Sequence, residues 1–481
     1  MGLLGNKNFW YYAAAVLFIV INTFLLAKEI WLFAFFPFAI LIAYLYITSL
    51  DKVFLLITFL TPLSLPLQDL IPEMPFDISL PVEPMILILM GVFVLKLFKE
   101  KSYPKKFILH PVSLAIIFHL IWMTVTTLTS SMPLVSMKFL LARFWFVITF
   151  FYFALIVFND RKNIKRYLYL FVIGLSIAAF YSLVKHALVG INDQAAAYKI
   201  SWPFFNDHTV YGAVLAFYFP IVIGFFVLAK ESNHKTLLLI LIAFLGFAII
   251  HSYSRASWLS ILASFALWGV LRLKISFRVL METVIGFAGI LFLFSTTLIM
   301  QLEENKTDSS DDFKEHIQSM TNIKTDASNV ERLNRWKCAF EMFKERPVFG
   351  WGPGTYMFQY APFQKERDRT VISTNWGDWG NAHSEYIGPL AESGVFGSLS
   401  MIAIVLLSVY TGFNVVYKST DIWMKVTAIT VLMGLATYVV HGILNNFLDT
   451  VKASVPFWGF TAILVFFDIY LKEKGQKLPE N

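Results

Sequence analysis

Apolar residues gather in fourteen runs, at 9–27, 30–50, 53–65, 85–98, 107–129, 139–158, 167–189, 208–229, 236–252, 256–271, 279–300, 384–413, 422–440 and 456–471. A helix needs about 20 residues to cross roughly 30 Å of hydrocarbon. Most of the runs come close to that length. The exceptions, 53–65 and 85–98, flank the proline-rich segment "PLSLPLQDLIPEMPFDISLPVEP". The pattern predicts an all-α polytopic membrane protein of about 12–14 transmembrane helices, the lower count applying if early segments are re-entrant. No small-residue cleavage site follows the first run, which therefore reads as a retained helix. The chain shows no internal repeat.

Charge placement predicts the orientation. Lys99, Lys101, Lys105 and Lys106 share one short loop, Arg161, Lys162, Lys165 and Arg166 another, and Arg272, Lys274 and Arg278 a third, while Lys472, Lys474 and Lys477 lie in the tail. With fourteen crossings all of them fall on the side of the N-terminus. The positive-inside rule makes that side cytoplasmic, with both termini there. The expected parts are N-terminal transmembrane helices (1–200), transmembrane helices carrying an outer arginine (201–300), an outer loop (301–383), C-terminal transmembrane helices (384–471) and a cytoplasmic tail (472–481).

Only 301–383 is long enough to act as a lid over the outer face. Its first part is charged and poor in apolar residues, which suggests loose packing. In "VERLNRWKCAFEMFKERPVFGWGPGTY", Leu333, Trp336, Phe340 and Phe343 recur at helical spacing and predict an amphipathic helix lying near the membrane surface. Asn329 is a candidate N-cap. Pro347 should end the helix, and Gly350, Gly352 and Gly354 permit a tight turn after it.

Charges at membrane depth are costly, so the polar groups at the outer ends of the runs need a reason. Arg255, in "HSYSRASW", joins two helices almost without a loop. Its planar fork suits a phosphate held bidentately, with a topology anchor or lipid contact as the alternative. Arg332 and Arg335, one turn apart beside Trp336, can converge on one anion or form a solvated face. In "NAHSEY", His383 and Glu385 are two apart and would point to different sides, which is poor spacing for two ligands of one metal. A histidine suits proton abstraction from a hydroxyl; helix-end capping is the alternative. Asn381 shares the segment, and Glu392 follows near or inside the membrane. Asn206, Asp207 and His208 precede a helix, so they read either as caps or as a sugar-contacting collar. In "HGILNNFLDT", His441 and Asn445 share a helical face that Asp449 would continue, with Asn446 beside it. Lys138, Arg143, Lys185 and His186 add positive charge, or snorkel to headgroups.

Composition bears out the membrane reading. The chain is 57% hydrophobic and 15% charged, more apolar surface than a soluble protein of 481 residues can hide. Its single cysteine, Cys338, excludes an internal disulfide. No P-loop or dinucleotide fingerprint is present, which argues against ATP-driven transport. A non-enzymatic polysaccharide or lipid transporter remains a different class of reading, but it would be expected to carry deep charges on both sides.

The segment "RLNRWKCAFEMFKERPVFGWGPGTY", followed by "NAHSEYIGPLAESGVFGSLSMI", resembles the O-antigen ligase / O-antigen polymerase superfamily. The arginine–tryptophan helix, the Pro-x-x-Gly-x-Gly turn and the Asn-x-His-Ser segment carry the likeness. Ser254-Arg255-Ala256 and "FNDHTVYG" add to it over about 200–460. The resemblance implies a bacterial inner-membrane enzyme with a periplasmic active site. It would move a glycan from undecaprenyl diphosphate to lipid A-core with inversion and without metal or other cofactor. Arg255 with Arg332 or Arg335 would hold the diphosphate, and His383 would be the base. Asp449 falls roughly where the family has a late acidic residue, and by their own placement at run ends Asn206, His208, Trp336, Asn381, Glu385, His441 and Asn446 are, with it, candidate substrate contacts. Membrane lipids are expected partners and nucleic acid is not. A polymerase or a protein O-oligosaccharyltransferase would fit the same resemblance.

Overall fold

A peptide amide in lipid finds no water, so a spanning segment must bond its own backbone, and a helix does so within the segment. The computed structural model describes residues 7–29, 31–71, 73, 77–293, 327–365 and 380–476. The expectations for the start of the outer loop (301–326), the end of the eleventh run and the last tail residues lie outside them. The longer helices are α1 (Lys7–Leu26), α2 (Phe36–Thr48), α3 (Leu50–Leu60), α4 (Val82–Glu100), α5 (Pro111–Leu128), α6 (Pro133–Val157), α7 (Arg161–Val189), α8 (His208–Leu228), α9 (Ser232–Ile250), α10 (Arg255–Arg272), α11 (Phe277–Leu293), α12 (Ala327–Glu345), α13 (Gly388–Lys418), α14 (Ile422–Leu444) and α15 (Val451–Gln476). Among the described residues, nine helices are long and apolar enough to cross a membrane. The protein is an all-α, multi-pass membrane protein. One two-residue ladder, Leu65–Pro66 against Ser79–Leu80, closes the proline-rich segment.

Residues 1–54 and 55–481 form separate compact units. The first carries α1 and α2, whose described side chains are mostly exposed. The second is built around α8, α14 and α15. Trp458, Phe460, Phe217 and Tyr438 are buried at its centre. Glycines let these helices approach closely: a Cβ at Gly224 would meet Thr430 Cγ2 at 2.7 Å, and one at Gly434 the Phe217 carbonyl at 2.6 Å.

Two expectations for α12 change. The helix begins at Ala327, so Asn329 lies inside its first turn rather than capping it. The buried face is also not the aromatic stripe. Glu331, Asn334, Arg335, Cys338, Ala339 and Met342 are buried, whereas Leu333, Trp336 and Phe343 are half-exposed and Phe340 is exposed. Small side chains at 338 and 339 let the helix sit close to Tyr356, Tyr360, Ala382 and Ala391, and bulky rings there would hold it off.

The helix ends at Glu345, two residues before Pro347, as the sequence suggests. The glycine turn behind it is stitched to a break in α13. Trp351 N–H donates to Ala391 O at 2.9 Å, Gly352 N–H to Glu392 O at 2.8 Å, and Val395 N–H to Pro347 O at 2.9 Å. The break is Gly394, at φ 66° and ψ −167°, a conformation essentially reserved for glycine. A Cβ there would also meet the Val348 carbonyl at 2.0 Å. Gly394→Ala should therefore lower stability by about 1–3 kcal/mol or more from backbone strain. Gly269→Ala, in open space on α10, should be neutral or slightly stabilising. Thermal unfolding of both variants in detergent checks this. Equal midpoints would show that the break is not under constraint.

Candidate functional site

The segment 381–387 is a folded turn before α13, held from several directions. Asn381 Oδ1 accepts the His383 N–H at 3.0 Å, and Ser384 Oγ accepts the N–H groups of Tyr386 and Ile387. Glu385 N–H donates to Gly442 O at 2.8 Å, and the Tyr386 hydroxyl to Val439 O at 3.0 Å. His383 itself takes φ 49°, in the left-handed region. Such a backbone is uncommon outside glycine and tends to occur where the surroundings over-determine it. Glu385 points away from His383, into protein. Its Oε1 accepts the Tyr438 hydroxyl at 2.6 Å and the Leu448 N–H at 2.8 Å. Burial pushes this carboxyl above the ordinary range, against the opposing pull of Arg143.

Around the His383 ring the structure gathers groups from distant parts of the chain. Burial and then the charges of Arg332 and Arg335 push its pKa down to about 3, with Asp207 pulling the other way. Among the described residues the imidazole has no protein hydrogen bond. Arg332 Nε donates to Leu444 O at 3.2 Å, which ties α12 to the end of α14. Arg335 is buried. Its Nε donates to Glu331 at 2.7 Å, its guanidinium lies over the Tyr360 ring at 4.1 Å, and Gly380 packs directly against it. Burial alone would raise Asp207, but bonds from His208 and from the Thr209 N–H hold it down to about 2. That places Asp207 as the N-cap of α8, with His208 at 3.2 Å.

His441, on α14, is buried with Asn445 Nδ2 at 3.1 Å from its Nε2. It lies against the Ala256 backbone and within electrostatic reach of Arg332 and Asp207. It therefore sits between Arg332 and the start of α10, where Arg255 is the first helical residue. A helix N-terminus adds partial positive charge to that of Arg255. The stripe expected over 441–449 does not hold. α14 ends at Leu444, and Asn445 is extended at φ −153° and ψ 162°, so Asp449 leaves the face of His441.

Asn446 and Asp449 instead line a cleft of about 130 Å³ behind the turn, with Asn381, Ser384 and Glu385. Arg143, Glu392 and His119 complete its polar wall. Arg143 Nη1 donates to Leu448 O at 3.1 Å, His119 Nδ1 lies 2.8 Å from Ser400 Oγ, and Glu392 accepts the Tyr356 N–H at 3.2 Å. Arg143 is thus buried inside the bundle rather than snorkelling. Asp449 also borders a second cavity of about 230 Å³, with Asn206, Asp207 and Lys452. Surrounding protein and then the Glu385 charge push Asp449 up to about 7. The Lys452 ammonium bonds Ser64 O at 2.8 Å and Phe204 O, joining three segments. His119, Glu392 and Lys452 were not picked out as site residues from the sequence. The one signal was that each is an ionisable group inside or beside an apolar run. Lys185 and His186 are engaged by the neighbouring loop, through Trp202 O and Asp193 O.

Fold and site together describe a multi-pass helical membrane protein with a buried histidine close to two arginines at one end of the bundle. Residues 237–402 match the family model described as O-antigen ligase, about a third of the chain. The matched span includes Arg255, Arg332, Arg335 and His383, and stops before His441. The match supports the superfamily resemblance, and with it an enzyme of the O-antigen ligase or polymerase type, glycosyltransferase-like, using a lipid-linked glycan donor. No curated protein matches the chain.

Arg332→Gln should raise the His383 pKa, because it removes a positive charge that disfavours the imidazolium. The pH dependence of His383 carbethoxylation, read by peptide mass spectrometry, measures this. An unchanged midpoint would mean that Arg332 does not act on the ring.

Proposed function

We propose that the protein transfers a glycan from undecaprenyl diphosphate to a hydroxyl of lipid A-core at the periplasmic face of the bacterial inner membrane, with the termini cytoplasmic. The observation that supports this reading best is the convergence of Arg332, Arg335 and Asp207 on His383, whose imidazole has no hydrogen bond among the described residues. Arg255, at the start of α10, and Arg332 hold the diphosphate. Arg335, already bonded to Glu331, contributes mainly charge. The acceptor oxygen attacks the anomeric carbon from the side opposite the leaving group, so the centre inverts. As that C–O bond forms, the bond from the anomeric carbon to the diphosphate oxygen breaks and its electron pair leaves with the diphosphate. The arginines stabilise the charge that grows there. His383 takes the acceptor proton.

A base held near 3 is neutral at pH 7 but a weak acceptor of protons. The diphosphate changes this. Its negative charge offsets the arginines and raises the His383 pKa, while burial, the larger cause of the low value, still acts against it. Acceptor activation is thereby coupled to donor binding, which limits proton abstraction while the donor site is empty.

A null strain should lose long glycan chains from lipid A while lipid-linked polymer accumulates. Lipid A carrying a single repeat unit would make the protein a polymerase instead. With purified protein, His383→Ala should lower transfer about 100-fold or more, and chelators should leave transfer intact. A fully active His383→Ala variant would remove the base assignment.

A further inference from the structure

The half of the bundle away from His383 contains an apolar groove that the transfer chemistry does not use. It runs between α7, α8 and α9, with a volume of about 600 Å³. Ile173, Ile177 and Phe180 line one side, Leu237, Leu241 and Phe244 the other, and the lining is almost entirely apolar. At its mouth Tyr169 stacks on Phe225 with centroids 3.8 Å apart, and the Tyr169 hydroxyl lies 3.4 Å from His234 Nε2.

Chain direction places the groove. α8 leaves Asp207, beside His383, and ends at Leu228 on the opposite face, where α9 starts. α7 starts on that same opposite face, at the basic cluster 161–166. From Tyr169 to Phe180, and from His234 to Phe244, each helix rises about 15–17 Å. That is half of a hydrocarbon core of about 30 Å, the depth of one leaflet. The groove therefore belongs to the leaflet away from the reactive site. A donor whose diphosphate lies at Arg255 would enter from the other leaflet.

The mouth is cationic. Lys165 Nζ lies 5.5 Å over the Tyr169 ring. Lys165, Arg166, Lys230, His234 and Lys235 are exposed there, with Glu231 the one carboxylate of the 229–236 turn. A neutral apolar slot would take any acyl chain, whereas this rim selects for a negative headgroup.

We propose that this groove is a binding site for one anionic phospholipid of the leaflet opposite the reactive site, an acyl chain filling the slot and the phosphate held by Lys165, His234 and Lys235. An aromatic pair and a packed chain at this point would brace α9, in which only Leu238, Leu245, Ala248 and Ile249 are buried.

The test is native mass spectrometry of the full-length protein released from nanodiscs of phosphatidylglycerol and phosphatidylcholine in equal amounts. The expected result is one retained phosphatidylglycerol. Lys165→Ala and Lys235→Ala should each weaken its retention about fivefold without changing the thermal midpoint. Ser176→Trp, which fills the slot, should abolish retention. Equal retention of the two lipids, or undiminished retention in the lysine variants, would overturn the proposal. Displacement of phosphatidylglycerol by undecaprenyl phosphate would overturn it too, since the groove would then belong to an isoprenoid.

Discussion

The carboxylate of Glu385 is the contact on which the geometry of the site depends. It is buried, and it accepts hydrogen bonds from the Tyr438 hydroxyl and the Leu448 N–H while its own N–H is bonded to Gly442 O. These bonds join the turn before α13 to the corner between α14 and α15. Each buried donor left without its acceptor would cost about 1–3 kcal/mol, so these bonds hold the three elements together. The pinned Glu385 points its side chain inward. Two residues earlier, His383 in its left-handed backbone turns the other way, toward the arginines. The close spacing that makes His383 and Glu385 a poor pair of metal ligands thus suits a division of labour. One residue anchors, and the other faces substrate in the proposed reaction.

A second joint lies beside the first. The glycine turn at 347–354 and the α13 break at Gly394 exchange backbone hydrogen bonds, so the end of α12 is fixed to the helix that follows the His383 turn. The motifs that sit far apart in the chain, the glycine turn and "ESG", are two halves of one contact. That contact brings Arg332 and Arg335 close enough to act on His383. It also leaves Trp336 and Phe343 half-exposed and Phe340 exposed, available to a membrane surface.

The fold was legible because lipid imposes a length: every apolar run of spanning size has a helix in it. His383, Arg332 and Asp207 were legible as polar residues at run ends, where charge needs a reason, and the structure brings them together. Three features were not. The buried face of α12 is set by how closely its partners approach, and the small residues Cys338 and Ala339 win that position over rings. The end of α14 at Leu444 is marked only by Gly442 inside its last turn and by Asn445 after it, and Asn445 also fits the face of His441, so the stripe read as continuous. The cluster of Arg143, Glu392 and His119 joins helices hundreds of residues apart, and a lone histidine or arginine in an apolar run reads equally as a lipid anchor.

The central claim is that His383 is a base beside a diphosphate held by arginines, with no part in holding it. Binding of undecaprenyl diphosphate to purified variants tests this most directly. His383→Ala should bind within about twofold of the wild type, because removing a neutral imidazole takes no charge from the site. A combined Arg255→Gln and Arg332→Gln variant should lose most of the affinity. Loss of binding in His383→Ala, or full binding without the two arginines, would contradict the assignment.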